Sequence, residues 1–419
     1  MENISKIETS RKYPDFIFWG LYSTLLLFDS INGFLIEKSL DFPLGQLVKL
    51  VLLALIIKYY AVTKSNIQTL ALITFYFIFY ILHLSLIIEC KSVQDSILPM
   101  SKFIIAPIGF TLFRRLIIQK PTETYNNVLI IIYINFAILV ANVIWGLLGW
   151  GFSSYSDGDY SQGVRGFFYS INELSGVIIL LFGFIVFYSR YYFLGKTKKF
   201  LLVVAAILFL TISFGTKTGM GCMLVCVMYS YYVFYNKKKI SNRILLYSSI
   251  VILLFIIIFL GYKMVVANGL IQRWQYLYNT IDNPYTFLLS GRDLFWEEEK
   301  GEYLSSGFLG IIFGLGDWHT VEMDHFDALI NYGVIGLIIV YSFWFDLIRR
   351  AYKLRKKNVL ARFVLLVDLL IVFFSLVAGH LLFSGIMNPF VPIINILMYV
   401  PDKLIRQKIS FHFKYPRHK

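Results

Sequence analysis

The residues able to do chemistry in this chain are gathered in one long polar interruption, from about Ala267 to Asp324, set in an otherwise apolar sequence. It reads SGRDLFW from Ser290 to Trp296, then FGLGDWHTVEMDHFDALINYGVIGL from Phe313 onward. A chain that hides most of its length in apolar side chains concentrates its costly polar groups where they act. Arg292 offers a planar guanidinium suited to bidentate contact with phosphate oxygens, charged at any physiological pH. His325 offers an imidazole, whose ordinary pKa of roughly 6.5 suits a general base near neutrality. Asp324 beside it, or Glu173 and His380 in distant stretches, are the alternatives for that base or for the group that orients it, and the sequence does not rank them. Arg165, Lys217 and Arg273, if folding brings them to Arg292, complete a site for a dianionic or more highly charged group. Trp296 and Trp318 add flat amphipathic faces for sugar rings or for a membrane interface.

Other chemistries find little footing. Gly314-Leu315-Gly316 lacks the third glycine and the flanking elements of a dinucleotide site, and there is no Walker lysine. His319 and His325 stand six apart without an HExxH context, so no metal and no cofactor is expected. Ser290 lies near Arg292, but no nucleophile elbow surrounds it. Plainer roles compete with each choice: Arg292 pairing with Asp293 or the Glu297 to Glu299 run, Arg165 pairing with Asp159, Lys217 reaching along lipid to the interface, and His325 anchoring a helix. The acidic run reads as the solvated face of a short helix. Cys222 and Cys226, one helical turn apart in an apolar stretch, read as packing residues.

The elements that must position these groups are membrane helices. At 58% hydrophobic residues and a mean hydropathy of +0.68, the chain is too apolar for a water-soluble globule and reads as an all-α, polytopic integral membrane protein. The net charge of +14 is scattered in short clusters between apolar runs, which fits membrane loops and gives no reason to expect a nucleic-acid partner. About twelve runs are long enough to span a hydrocarbon core, near 16–36, 43–62, 67–88, 97–118, 126–150, 170–193, 199–214, 217–236, 244–266, 326–346, 360–383 and 386–405. The expected organisation is one transmembrane domain over 1–419, with a large external loop at 267–325 and a smaller one at 151–168. The smaller loop, rich in Gly, Ser and Asp, reads as a turn-rich connection rather than a strand or helix. Most of the 39 Lys and Arg fall in one alternate set of connections, which is therefore assigned to the cytoplasm together with both termini. Lys49, His83, Lys102, Glu173, Lys217 and His380 then all fall on the outward side.

In their order and spacing, several motifs resemble the bacterial O-antigen polymerase and O-antigen ligase superfamily. They are Ser290-Gly291-Arg292 with Trp296, Gly314-x-Gly316, Asp324-His325 leading into Leu329 to Leu337, Arg165-Gly166-Phe167 with Asn172-Glu173, Phe214 to Thr218, and Gly379-His380. The resemblance implies a membrane glycosyltransferase of GT-C-like architecture in the bacterial cytoplasmic membrane, its site facing outward. It implies transfer of a glycan from an undecaprenyl diphosphate carrier to an acceptor hydroxyl without metal. In a polymerase of O-antigen or capsular repeat units, donor and acceptor are both lipid-linked; in a ligase the acceptor is lipid A-core. A flippase and a chain-length regulator are the implied partners. The GTKT turn at Gly215 to Thr218 and the compact length favour the polymerase. A flippase for the same lipid-linked sugars is a lesser alternative, since the ionisable groups crowd toward one face rather than along a path through the bilayer.

Overall fold

The computed structural model describes residues 14–40, 42–62, 93–157, 160–194, 196–234, 291–315 and 319–405, with 283, 286 and 289 singly. These residues are helical apart from one two-stranded hairpin and short turns. Among them, four helices are long and apolar enough to cross a membrane: Pro121–Leu147, Ile171–Tyr192, Thr197–Phe214 and Asp324–Leu354. The runs expected at 67–88 and 244–266 lie outside the described residues.

The chain divides into two units. The first takes Met1–Phe28, Pro43–Asn135 and Gly291–Lys419, the second Asp29–Phe42 and Phe136–Ser290.

In the first unit, the apolar run expected as one span at 16–36 is broken into α1 (Phe16–Ser23) and α2 (Leu25–Glu37), the latter passing on into the second unit. Asp15 caps α1 by accepting from the Phe18 amide at 3.1 Å, which holds its carboxyl below the usual range. The break at Thr24 is repaired by a residue more than a hundred positions away. Buried Asn135 accepts from the Leu26 amide at 3.1 Å and donates to the Tyr22 carbonyl at 3.0 Å. Backbone groups freed in an apolar medium need such partners. α3 (Leu44–Val62) packs on α4 (Val93–Gln119), which tolerates Pro99 and Pro107 within it, and α5 (Pro121–Leu147) begins here and also continues into the second unit.

In the second unit, the 151–168 loop is a hairpin rather than an irregular connection, with β1 (Phe152–Asp157) antiparallel to β2 (Tyr160–Gly166) and Asp157 opposite Tyr160. The Asp157-Gly158 dipeptide between two short β-compatible runs is the local signal for it. Beyond the hairpin, α6 (Ile171–Tyr192) packs against α7 (Thr197–Phe214) and α8 (Lys217–Val233). α6 is buried on nearly every face, as a helix that is apolar all round must be. Cys222 and Cys226 are buried and unlinked in α8.

The rest of the first unit follows from residue 291. Two short helices, α9 (Arg292–Ser305) and α10 (Gly307–Phe313), precede α11 (Asp324–Leu354), which packs on α12 (Val359–Ser375). The acidic run Glu297 to Glu299 does lie on a helix, α9. The span expected at 360–383 ends as a helix at Ser375, and residues 376–389 form turns. That expected at 386–405 holds only α13 (Phe390–Asn395) and one 3-10 turn, Ile396–Tyr399. Asn358 secures this ending: its Oδ1 caps α12 at the Leu360 amide, while Nδ2 donates to the carbonyls of Leu397, Met398 and Val400.

Candidate functional site

The expected site residues fall into two groups, one in each unit, while Arg273 and Trp318 lie outside the described residues. Arg292, Trp296, Asp324, His325 and His380 belong to the first unit; Arg165, Glu173 and Lys217 belong to the second.

In the first unit, glycine makes the crossing that starts the site. Gly333 breaks the helical geometry of α11 with φ of 63°, and a Cβ there would lie 2.3 Å from the main chain of Ile312. Gly314, at φ of 91°, faces Asn331 equally closely, and the Leu315 amide donates to the Ile330 carbonyl at 2.8 Å. No residue with a side chain fits this approach of two backbones. The turn at 319–323 and the turn at 376–382 meet next. A Cβ on Gly379 would stand 2.5 Å from the Glu322 main chain, so the glycine of the Gly379-His380 pair is a contact requirement.

Asp324 pins these turns together. It is fully buried, and its Oδ2 accepts from the amides of Leu381 and Leu382 at 3.0 and 2.9 Å. One turn along α11, buried Asp327 accepts from the Val321 amide at 2.7 Å. Residue type and spacing give Asp327 and Glu322 no site role, because only the folded turns give them a task. Glu322 and His380 are two of the three non-glycine residues with positive φ among the described residues. Each such residue costs about 1–3 kcal/mol, and strain of this kind clusters at functional sites.

Arg292 opens α9 with its side chain mostly buried, Nε 3.4 Å from Glu322 Oε2 and Nη1 3.5 Å from the Val377 carbonyl. Arg292 therefore forms an ion pair with Glu322, a partner outside the acidic run of its own helix. Trp296, one turn on, stacks on Phe326 with ring centroids 3.9 Å apart, so one of its faces is already occupied. His325 packs its ring against Phe326 and meets the Ser375 main chain, while its Nδ1 is buried without a hydrogen-bond partner. Tyr303 ties α9 to α10 by donating to the Ile311 carbonyl at 3.0 Å, and burial pushes its hydroxyl pKa up.

In the second unit, the hairpin lies against the end of α7, where a Cβ on Gly163 would meet the Phe214 carbonyl at 2.7 Å. Strand β2, carrying Arg165, thus reaches the α7–α8 turn that carries Lys217. The Arg165 guanidinium donates to the Tyr169 carbonyl and lies 5.1 Å from the Phe152 ring centroid. Glu173 stands in the first turn of α6, where a carboxylate complements the helix dipole. Lys217, exposed, is the first residue of α8 after the Thr216 cap.

Two clusters of charge therefore stand on helices, hairpin and turns, and among the described residues four helices are long and apolar enough to cross a membrane. Comparison with known proteins finds no matching family model, no matching curated protein and no matching solved structure.

Proposed function

We propose that this chain is an integral-membrane polymerase. In this reading it joins undecaprenyl-diphosphate-linked oligosaccharide repeat units into O-antigen or capsular polysaccharide on the outer face of the cytoplasmic membrane. One observation carries the reading: Arg292, Asp324-His325 and Gly379-His380, the motif residues of the resemblance, are brought together in one unit although up to 85 positions separate the contacts. The acceptor hydroxyl oxygen attacks the anomeric carbon, the bond to the carrier phosphate breaks, and its electron pair leaves with the diphosphate. A fixed guanidinium at that oxygen lowers the barrier because the charge it meets grows in the transition state. Arg292 has that task, held by Glu322. The hydroxyl proton passes to a base, for which His325, with an unpaired buried Nδ1, is the first choice. Arg165 and Lys217, in the second unit, are kept in this reading as phosphate-binding cations.

The test is a ladder assay with purified protein and a lipid-diphosphate repeat unit. Parent protein makes progressively longer glycans, and both Arg292→Ala and His325→Ala stop at the starting unit. Parental ladders from both variants would refute the site, and absence of any product from the parent would refute the reaction.

A further inference from the structure

One cluster outside the groups assigned to glycosyl transfer has the composition of a metal centre. Glu299 and Glu302 on α9 and His319 on the segment before α11 each offer one donor atom, and the three atoms lie within 4.8 Å of one another. Residues three apart share a helix face, so both carboxylates point the same way. The imidazole sets the cluster apart from an acidic patch: carboxylates alone suit Mg2+ and Ca2+, whereas imidazole with carboxylates suits first-row ions of the zinc class.

The distances require only small adjustments. Tetrahedral zinc with donor bonds of about 2.0–2.1 Å keeps its ligands about 3.3 Å apart. His319 Nδ1 and Glu299 Oε2, at 2.7 Å, must open slightly, and Glu302, exposed on α9, must swing inward. The histidine is held ready by its own main chain. Asn331 Oδ1 accepts from the His319 amide and Asn331 Nδ2 donates to the His319 carbonyl, both at 2.7 Å. A ligand whose backbone is clamped on both sides loses little further freedom on binding.

We infer that Glu299, Glu302 and His319 bind one zinc-class divalent cation, which ties α9 to the segment leading into α11. The ion braces the loop and donates nothing to glycosyl transfer, and the inference does not rest on the polymerase reading. Full-length protein, purified in detergent without a polyhistidine tag and stripped with chelator, is titrated with Zn2+, with Ca2+ as the hard-cation control. The parent takes up one zinc ion that His319→Ala and Glu302→Gln each bind at least tenfold more weakly, and Ca2+ does not compete. Glu302→Gln is decisive because Glu302 is exposed and lies outside the Glu299–His319 pair, so a bare ion pair predicts no change. Zinc uptake absent from the parent, undiminished in either variant, or displaced by equimolar Ca2+ overturns the inference.

Discussion

The turns around α11 and the three helices α6 to α8 treat their buried polar groups in opposite ways. In α6 to α8 the buried hydroxyls of Ser175, Ser189, Thr211 and Ser230 each return to a carbonyl three or four residues back in their own helix. Around α11 and α12, Asp324, Asp327, Asn331 and Asn358 instead reach backbone outside their helices, in segments that are not helical. Non-helical backbone in an apolar setting survives only where something satisfies it. Asp324, Asp327, Asn331 and Asn358 are therefore the means of keeping a shape that a helix cannot provide, and that shape presents Arg292 and His325.

The largest effect should separate the two charge clusters. If the proposed function holds, Arg292→Ala should lower product in the ladder assay by about 10³-fold, the scale for losing a transition-state charge donor, while leaving the melting temperature near that of the parent. Arg165→Ala and Lys217→Ala should each cost only about tenfold in the ladder assay, since neither cation is the fixed guanidinium assigned to the leaving oxygen. Equal losses from all three would erase the distinction between the clusters. Next in size, Gly333→Ala should destabilise the fold by about 3 kcal/mol or more, combining a positive φ with a Cβ 2.3 Å from the Ile312 backbone. Thermal unfolding in detergent, followed by circular dichroism, reads this directly.

Hydropathy made the regular half of the molecule legible. The runs at 126–150, 170–193 and 199–214 became Pro121–Leu147, Ile171–Tyr192 and Thr197–Phe214, because a buried helix and a lipid-facing helix are equally apolar. The same equivalence hid the turns at 376–389: Leu381, Leu382, Phe383 and Ile386 are as apolar as any span, and only Gly379, Gly385 and Pro389 hinted at the interruption. The break at Thr24 was beyond local reading, since its repair comes from Asn135. Arg292, Asp324, His325 and His380 could be picked out by residue type and motif. Glu322 and Asp327 could not, because their partners are main-chain groups and a distant arginine, which leave no pattern in the chain.

The last two substitutions sharpen the same comparison at smaller scale. Asn358→Ala removes the cap of α12 and the Nδ2 group shared among the Leu397, Met398 and Val400 carbonyls, and a lost cap with buried carbonyls left unmet should cost about 2 kcal/mol. Ser230→Ala in α8 removes a hydrogen bond that is shorter, at 2.6 Å to the Cys226 carbonyl, and equally buried. Yet that carbonyl accepts its own helical bond as well, so no backbone group is abandoned, and side-chain hydrogen bonds inside membrane proteins average only about 0.6 kcal/mol. The shorter bond should therefore matter less, with unfolding shifted by about 0.6 kcal/mol or less. If Ser230→Ala proved as costly as Asn358→Ala, buried polar groups would be stabilising this protein by bond strength alone, and the special standing of the irregular backbone around α11 would be lost.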